Sequence, residues 1–131
     1  MRYLLDTDIC SYIIKKYPAV IERFRKTNRK DIAISAITCG ELYYGAHRAD
    51  GERHQEAVAL FCRHVRILDW PKSAALYYGQ LQAKLDEDGA RIGELDTQIA
   101  AHALALKCTL VTNNTKHFKR VPGLKVENWA K

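Results

Sequence analysis

RYLLDTDICSYIIKK, residues 2–16, is the stretch on which the fold turns. Residues 2–5 read as a short buried strand that runs directly into Asp6-Thr7-Asp8, after which ICSYIIKK carries apolar residues at helical spacing. A strand passing into a helix across this Asp-Thr-Asp corner places Asp6 at the strand's C-terminal end. If the pattern recurs along the chain, the fold is α/β with a mostly parallel sheet.

It does recur. Pro18 suits the first turn of a second helix, AVIERFRK (19–26), where a missing N–H forfeits no helical hydrogen bond. The polar break TNRKD (27–31) precedes IAISAI (32–37), a second strand-like run. Thr38 is the expected N-cap of the helix CGELYYGAHRA (39–49), with Glu41 three residues on, as a capping box requires. Residues 52–64 read as helix, VRILD (65–69) as a third strand, and SAALYYGQLQAKLDEDG (73–89) as a long amphipathic helix that stops near Gly89. ELDTQIAAHALALK (94–107) is helix-forming throughout, TLVT (109–112) is a fourth strand, Asn113-Asn114-Thr115 a turn, and KVENW (125–129) a fifth strand. Strands alternating with helices predict an α/β/α sandwich around a mostly parallel sheet, with residues 1–131 forming a single domain.

Composition bounds the function. A hydrophobic share of 47% and a charged share of 27% suit a folded globular chain rather than a disordered one. The balance of 21 Lys+Arg against 15 Asp+Glu, a net +6, favours a polyanionic partner such as nucleic acid or an acidic protein. Cys10, Cys39, Cys62 and Cys108 lie far apart without zinc-ligand spacing, so they are expected as free, mostly buried thiols. The N-terminal apolar run is broken by Asp6 and Asp8, and no segment reaches membrane-spanning length, so a cytoplasmic protein without a membrane partner is expected.

In open parallel sheets the functional crevice lies beyond the carboxyl ends of the strands, where the strand order reverses. Asp6 follows the first strand, Glu41 begins the helix after the second, Asp96 begins the helix before the fourth, and Asn114 follows the fourth. Carboxylates that converge raise one another's pKa unless a cation neutralises them, and hard oxygen ligands select Mg²⁺, with Mn²⁺ as a substitute. Such an ion activates water for phosphodiester hydrolysis, so the pattern points to metal-assisted cleavage of nucleic acid. Each acid also has a plain reading as a helix cap, a partner of the helix dipole or a solvated surface group.

YLLDTDICSYII, ISAITCGELYYGA, IGELDTQIAAHAL and LVTNNTKHFKRVPGLKVENW, in that order, resemble the four successive signatures of VapC-type PIN-domain toxins. The resemblance covers essentially the whole chain. It implies a PIN-domain-like fold, Mg²⁺-dependent endoribonuclease activity, a homodimer, and a VapB-like antitoxin whose Arg or Lys reaches into the acids and blocks the site. It matches Asp6, Glu41 and Asp96 to the family's catalytic, metal-binding acids, and Thr7 and Thr112 to supporting hydroxyl positions. Asn114 stands where the family often has an acid, so it is expected to coordinate weakly or orient water, and Asn114→Asp to tighten metal binding. Asp8 and Glu94 are candidate supporting groups, Glu94 also reading as a solvated first-turn acid. Relatives from enteric-like pairs imply tRNA, in particular an anticodon stem-loop, as substrate. The rival readings are a non-catalytic basic nucleic-acid-binding module and a DNA-directed metal nuclease.

Other features carry less. His47, His54, His64, His102 and His117 show no metal-pair spacing, and His117 reads as part of a solvated basic turn with an option on RNA phosphate. At least half of Tyr43, Tyr44, Tyr77 and Tyr78 are expected to pack in a core or dimer interface rather than stack on bases. Arg23, Arg25, Lys26, Arg29 and Lys30 form either an RNA rail or a solvated helix face.

Overall fold

The computed structural model describes residues 1–48 and 51–131. Its five strands form one sheet in the order β3-β2-β1-β4-β5, with every pair parallel. They are β1 (Tyr3–Leu5), β2 (Ile32–Ser35), β3 (Ile67–Leu68), β4 (Thr109–Val111) and β5 (Lys125–Glu127). The helices are α1 (Thr7–Ile14), α2 (Pro18–Lys26), α3 (Ala36–Arg48), α4 (Glu52–His64), α5 (Lys72–Glu87), α6 (Glu94–Leu106) and α7 (Thr115–Phe118).

Alternation along the short strands builds two cores. Tyr3, Leu5, Ile32, Ile34 and Val111 face a core shared with Val20 and Phe24 of α2, Leu42 of α3 and Phe61 of α4. Leu4, Ala33 and Leu110 face the other, with Leu81 and Leu85 of α5, Ile99 of α6 and Phe118 of α7. The result is the expected α/β/α sandwich, with the inner strands β1, β2 and β4 buried on both faces, which is why they read as largely apolar runs.

Several boundaries differ from the sequence reading. The helix expected over 39–49 begins at Ala36, and Ala49 lies outside the described residues. Thr38 is therefore not an N-cap, and no capping box with Glu41 forms. The Ser35 hydroxyl instead accepts the Ile37 N–H at 3.1 Å, which ends β2 two residues early. The third strand shrinks to Ile67–Leu68, and the turn expected at 113–115 runs into α7. Pro18 opens α2 as expected, and Gly89, at φ +64°, lies just past the end of α5.

Three residues of the basic run are engaged within the chain, and Arg25 and Lys30 are exposed. Arg23 pairs with Glu127 and lies over the Trp129 ring, Lys26 pairs with Glu22, and Arg29 lies over Phe24 at 4.1 Å. Of the four tyrosines, Tyr78 meets Trp70 edge to face, whereas Tyr43, Tyr44 and Tyr77 are exposed on this chain. All four cysteines are free, as expected. Among the described residues no helix is long and apolar enough to cross a membrane.

His102 on α6 is wholly buried, and neither ring nitrogen meets a protein partner. Burial holds its pKa below the usual value of 6.5, so the folded state binds fewer protons than the unfolded one. The associated stability is present above that value and falls as pH drops through it. His102→Leu is expected to lose less stability than wild type between pH 7.5 and 5 in urea melts. An identical loss in both proteins would refute the assignment.

Candidate active site

β1 is flanked by β2 on one side and β4 on the other, so the strand order reverses at β1. A crevice opens beyond the carboxyl ends of such strands. The chain leaving β1 becomes Asp6 and α1, the chain leaving β4 becomes Thr112 and α7, and the first turns of α3 and α6 come alongside. A cavity of about 190 Å³ lies there, lined by Asp6, Thr7, Asp8, Glu41, Asp96, Asn114 and Phe118.

Asp6 is the most enclosed of the acids, at 5% exposure. Its Oδ1 accepts the Ile9 N–H at 2.9 Å, so it is also the N-cap of α1. The Thr112 hydroxyl lies beside the same carboxylate, where it favours the charged form, and accepts the Asn114 N–H at 3.0 Å. Burial pushes the Asp6 carboxyl up to about 7, Asp8 and Asp96 add repulsion, and the Thr112 and Ile9 hydrogen bonds oppose the rise. The capping and site readings of Asp6 thus coexist in one side chain.

Glu41, one turn into α3, accepts a 2.7 Å hydrogen bond from the Thr7 hydroxyl. Burial raises its pKa, Asp96 and Asp8 push the same way, and the Thr7 bond opposes them. Asp96, in the first turn of α6, is likewise raised by burial and by Asp8, against the influence of His117. Gly93, at φ +96°, precedes α6 in a conformation that suits glycine.

The structure thus brings Asp6, Thr7, Glu41, Asp96 and Asn114 to one cavity, with Thr112 supporting it through Asp6. Asp8 joins them as a lining acid. Glu94 does not; it is exposed, as a solvated first-turn acid would be, and lines an adjoining open depression that Glu41 and Asp96 also border. His117 departs from the sequence reading. It is half-buried, with Nε2 at 2.8 Å from the Ile92 carbonyl and 3.1 Å from Asp96 Oδ2. No local signal marks this contact, because the two residues stand 21 positions apart.

A parallel α/β sandwich with carboxylates gathered at its switch point is the architecture of acid-centred nucleases, and the comparisons narrow it. The PIN-domain family model matches residues 3–124, and the chain belongs to that family. Ribonuclease VapC2 of Rickettsia felis is 43% identical, with all of both chains covered. The tRNA(fMet)-specific endonuclease VapC of Shigella flexneri is 37% identical over 99% of each chain. The crystal structure of VapBC2 from Rickettsia felis bound to a promoter DNA fragment superposes with a TM-score of 0.90 at 41% identity, covering 98% of this chain and 99% of that one. Within the PIN domains, the chain is one of the VapC ribonucleases.

PIN-domain nucleases use a divalent metal ion, and the residues here fit one. The cavity offers carboxylate, hydroxyl and amide oxygens, the donors of a hard dication, and no thiol or imidazole among its lining residues. Among the described residues no three acids are drawn into a finished ligand cluster.

Proposed function

We propose that this chain is a Mg²⁺-dependent endoribonuclease toxin, working in the cytoplasm as a single domain within a homodimer and held in check by a VapB-like antitoxin. The observation that carries the reading is the cavity where Asp6, Glu41 and Asp96 meet, with Asp8 beside them and burial holding all three carboxyls above their usual range. Buried like charges of this kind are relieved by a dication.

Asp6, Glu41 and Asp96 would hold the ion. When bound, it supplies Lewis-acid stabilisation of the phosphodiester and an activated water. The chain's own residues prepare the place for it. The Ile9 N–H fixes Asp6, with the Thr112 hydroxyl beside it, and the Thr7 hydroxyl fixes Glu41. Asn114, a neutral amide at the cavity rim, adds no charge and serves to orient water or substrate.

RNA as substrate is supported by the net charge of +6 and by the family. A tRNA anticodon stem-loop is the proposed target, following the Shigella relative named for tRNA(fMet). Cleavage of such a target would stop translation and growth. For the antitoxin, an open apolar groove of about 470 Å³, lined by Ile37, Gly40, Tyr44 and Leu95, runs up to Glu41. A protein segment lying in it places an Arg or Lys within reach of the acids, where a cation mimics the metal.

The test is purified protein on total tRNA with Mg²⁺, with EDTA, and with Asp96→Asn, followed by sequencing of the new RNA 5′ ends. Cleavage at discrete sites that EDTA and Asp96→Asn abolish is expected. Tight RNA binding without cleavage would favour a binding module, and cutting of DNA alone a DNA nuclease. Light scattering of the free toxin should give the mass of two chains.

A further inference from the structure

We propose that His117 is a positioning residue for Asp96, holding one carboxylate oxygen so that the rest of the group is presented to a divalent ion. This rests on the reading of Asp96 as a metal ligand. His117 is not among the residues lining the cavity, so it acts through Asp96 rather than on substrate.

The geometry assigns the tautomer. Nε2 faces two oxygens, the Ile92 carbonyl at 2.8 Å and Asp96 Oδ2 at 3.1 Å. A carbonyl only accepts, so Nε2 carries the proton and shares it between the two. The ring is held independently. It meets Phe118 edge to face at 5.4 Å and 87°, and both Phe118 and Ile92 belong to the core under α5 and α6. Arg120 donates to the Arg91 carbonyl at 3.1 Å, a second clip between the same two segments. The chain leading into α6 and the turn after β4 are therefore joined at the point from which Asp96 projects.

Asp96 needs such a clip. Asp6 is enclosed and hydrogen-bonded by the Ile9 N–H and Glu41 is held by Thr7, whereas the Asp96 side chain is 38% exposed and hydrogen-bonded to His117. A free carboxylate samples several orientations and must be ordered on metal binding. A hydrogen bond from a rigid donor supplies that order beforehand, the role that partners of metal ligands play generally.

The experiment titrates Mn²⁺ alone into the full chain by calorimetry, for wild type, His117→Met, His117→Gln and Asp96→Asn. Methionine keeps the length of the side chain and removes the N–H; glutamine keeps an N–H of similar reach. His117→Met is expected to weaken Mn²⁺ binding roughly tenfold or more, within the ~10–100-fold that such partners contribute, and His117→Gln to stay within about threefold of wild type. In RNA cleavage, His117→Met should need correspondingly more Mn²⁺ and recover near-normal kcat at saturation. Wild-type affinity in His117→Met would overturn the positioning role, as would equal weakening in both variants, which would make the ring's packing the cause. Asp96→Asn should lose Mn²⁺ binding; wild-type binding there would instead overturn the reading of Asp96 itself.

Discussion

Asp6→Asn is expected to cut RNA cleavage roughly a thousandfold, beyond the ~10–100-fold that losing a mere partner of a metal ligand costs, while making the metal-free protein more stable at pH 8. The two effects have one origin. Asp6 is buried beside Asp8 and Asp96, and its carboxyl is pushed from 3.8 up to about 7. A raised carboxyl pKa means that the folded state holds the proton more tightly than the unfolded one, so the penalty is absent below pH 4 and complete above pH 7. At 1.36 kcal/mol per tenfold in proton affinity, that penalty is on the order of 4 kcal/mol. Asparagine removes it and still caps α1, because its side-chain oxygen accepts the Ile9 N–H as aspartate does. Urea melts without divalent ions should show the variant gaining over wild type from pH 5 to pH 8. A collapse in stability at both pH values would instead make Asp6 chiefly a cap.

The second large effect is the pH dependence of metal binding. A divalent ion entering the cavity must displace the proton that Asp6 retains below about 7. With one proton released per ion, apparent affinity should fall about tenfold for each pH unit below that value. Glu41 and Asp96, both shifted upward, steepen the fall at lower pH. Mg²⁺ should therefore raise the Tm clearly at pH 8 and hardly at all at pH 5.5. In Asp6→Asn the Mg²⁺ shift should be small at both. A metal-induced Tm shift in wild type that is equal at pH 5.5 and pH 8 would contradict the assignment of the acids to the ion.

Much of this site was legible in the chain because its parts are local. Asp6 after an apolar run, Asp96 in the first turn of a helix and Asn114 just past another run are each set by a few neighbouring residues, whereas Thr7 and Thr112 came from the family resemblance. Parallel topology then delivers strand ends to one edge without further information. His117 escaped because its partner lies 21 positions away, and a short basic turn looks solvated when nothing shows what covers it.

The sequence by itself determined the alternation of strands and helices, the order of the acids and their oxygen chemistry, since apolar period and residue type depend on the chain alone. Tertiary structure decided the rest. The choice of Ser35 over Thr38 as cap followed once Thr38 was buried in α3, leaving the Ser35 hydroxyl to accept the free Ile37 N–H. The Thr7 bond to Glu41 spans 34 positions, and the Asp6 carboxyl rises only when packing removes water from around it. Hydrogen bonds between distant segments and the loss of solvent are properties of the packed chain, and no stretch of sequence contains them until the sheet is assembled.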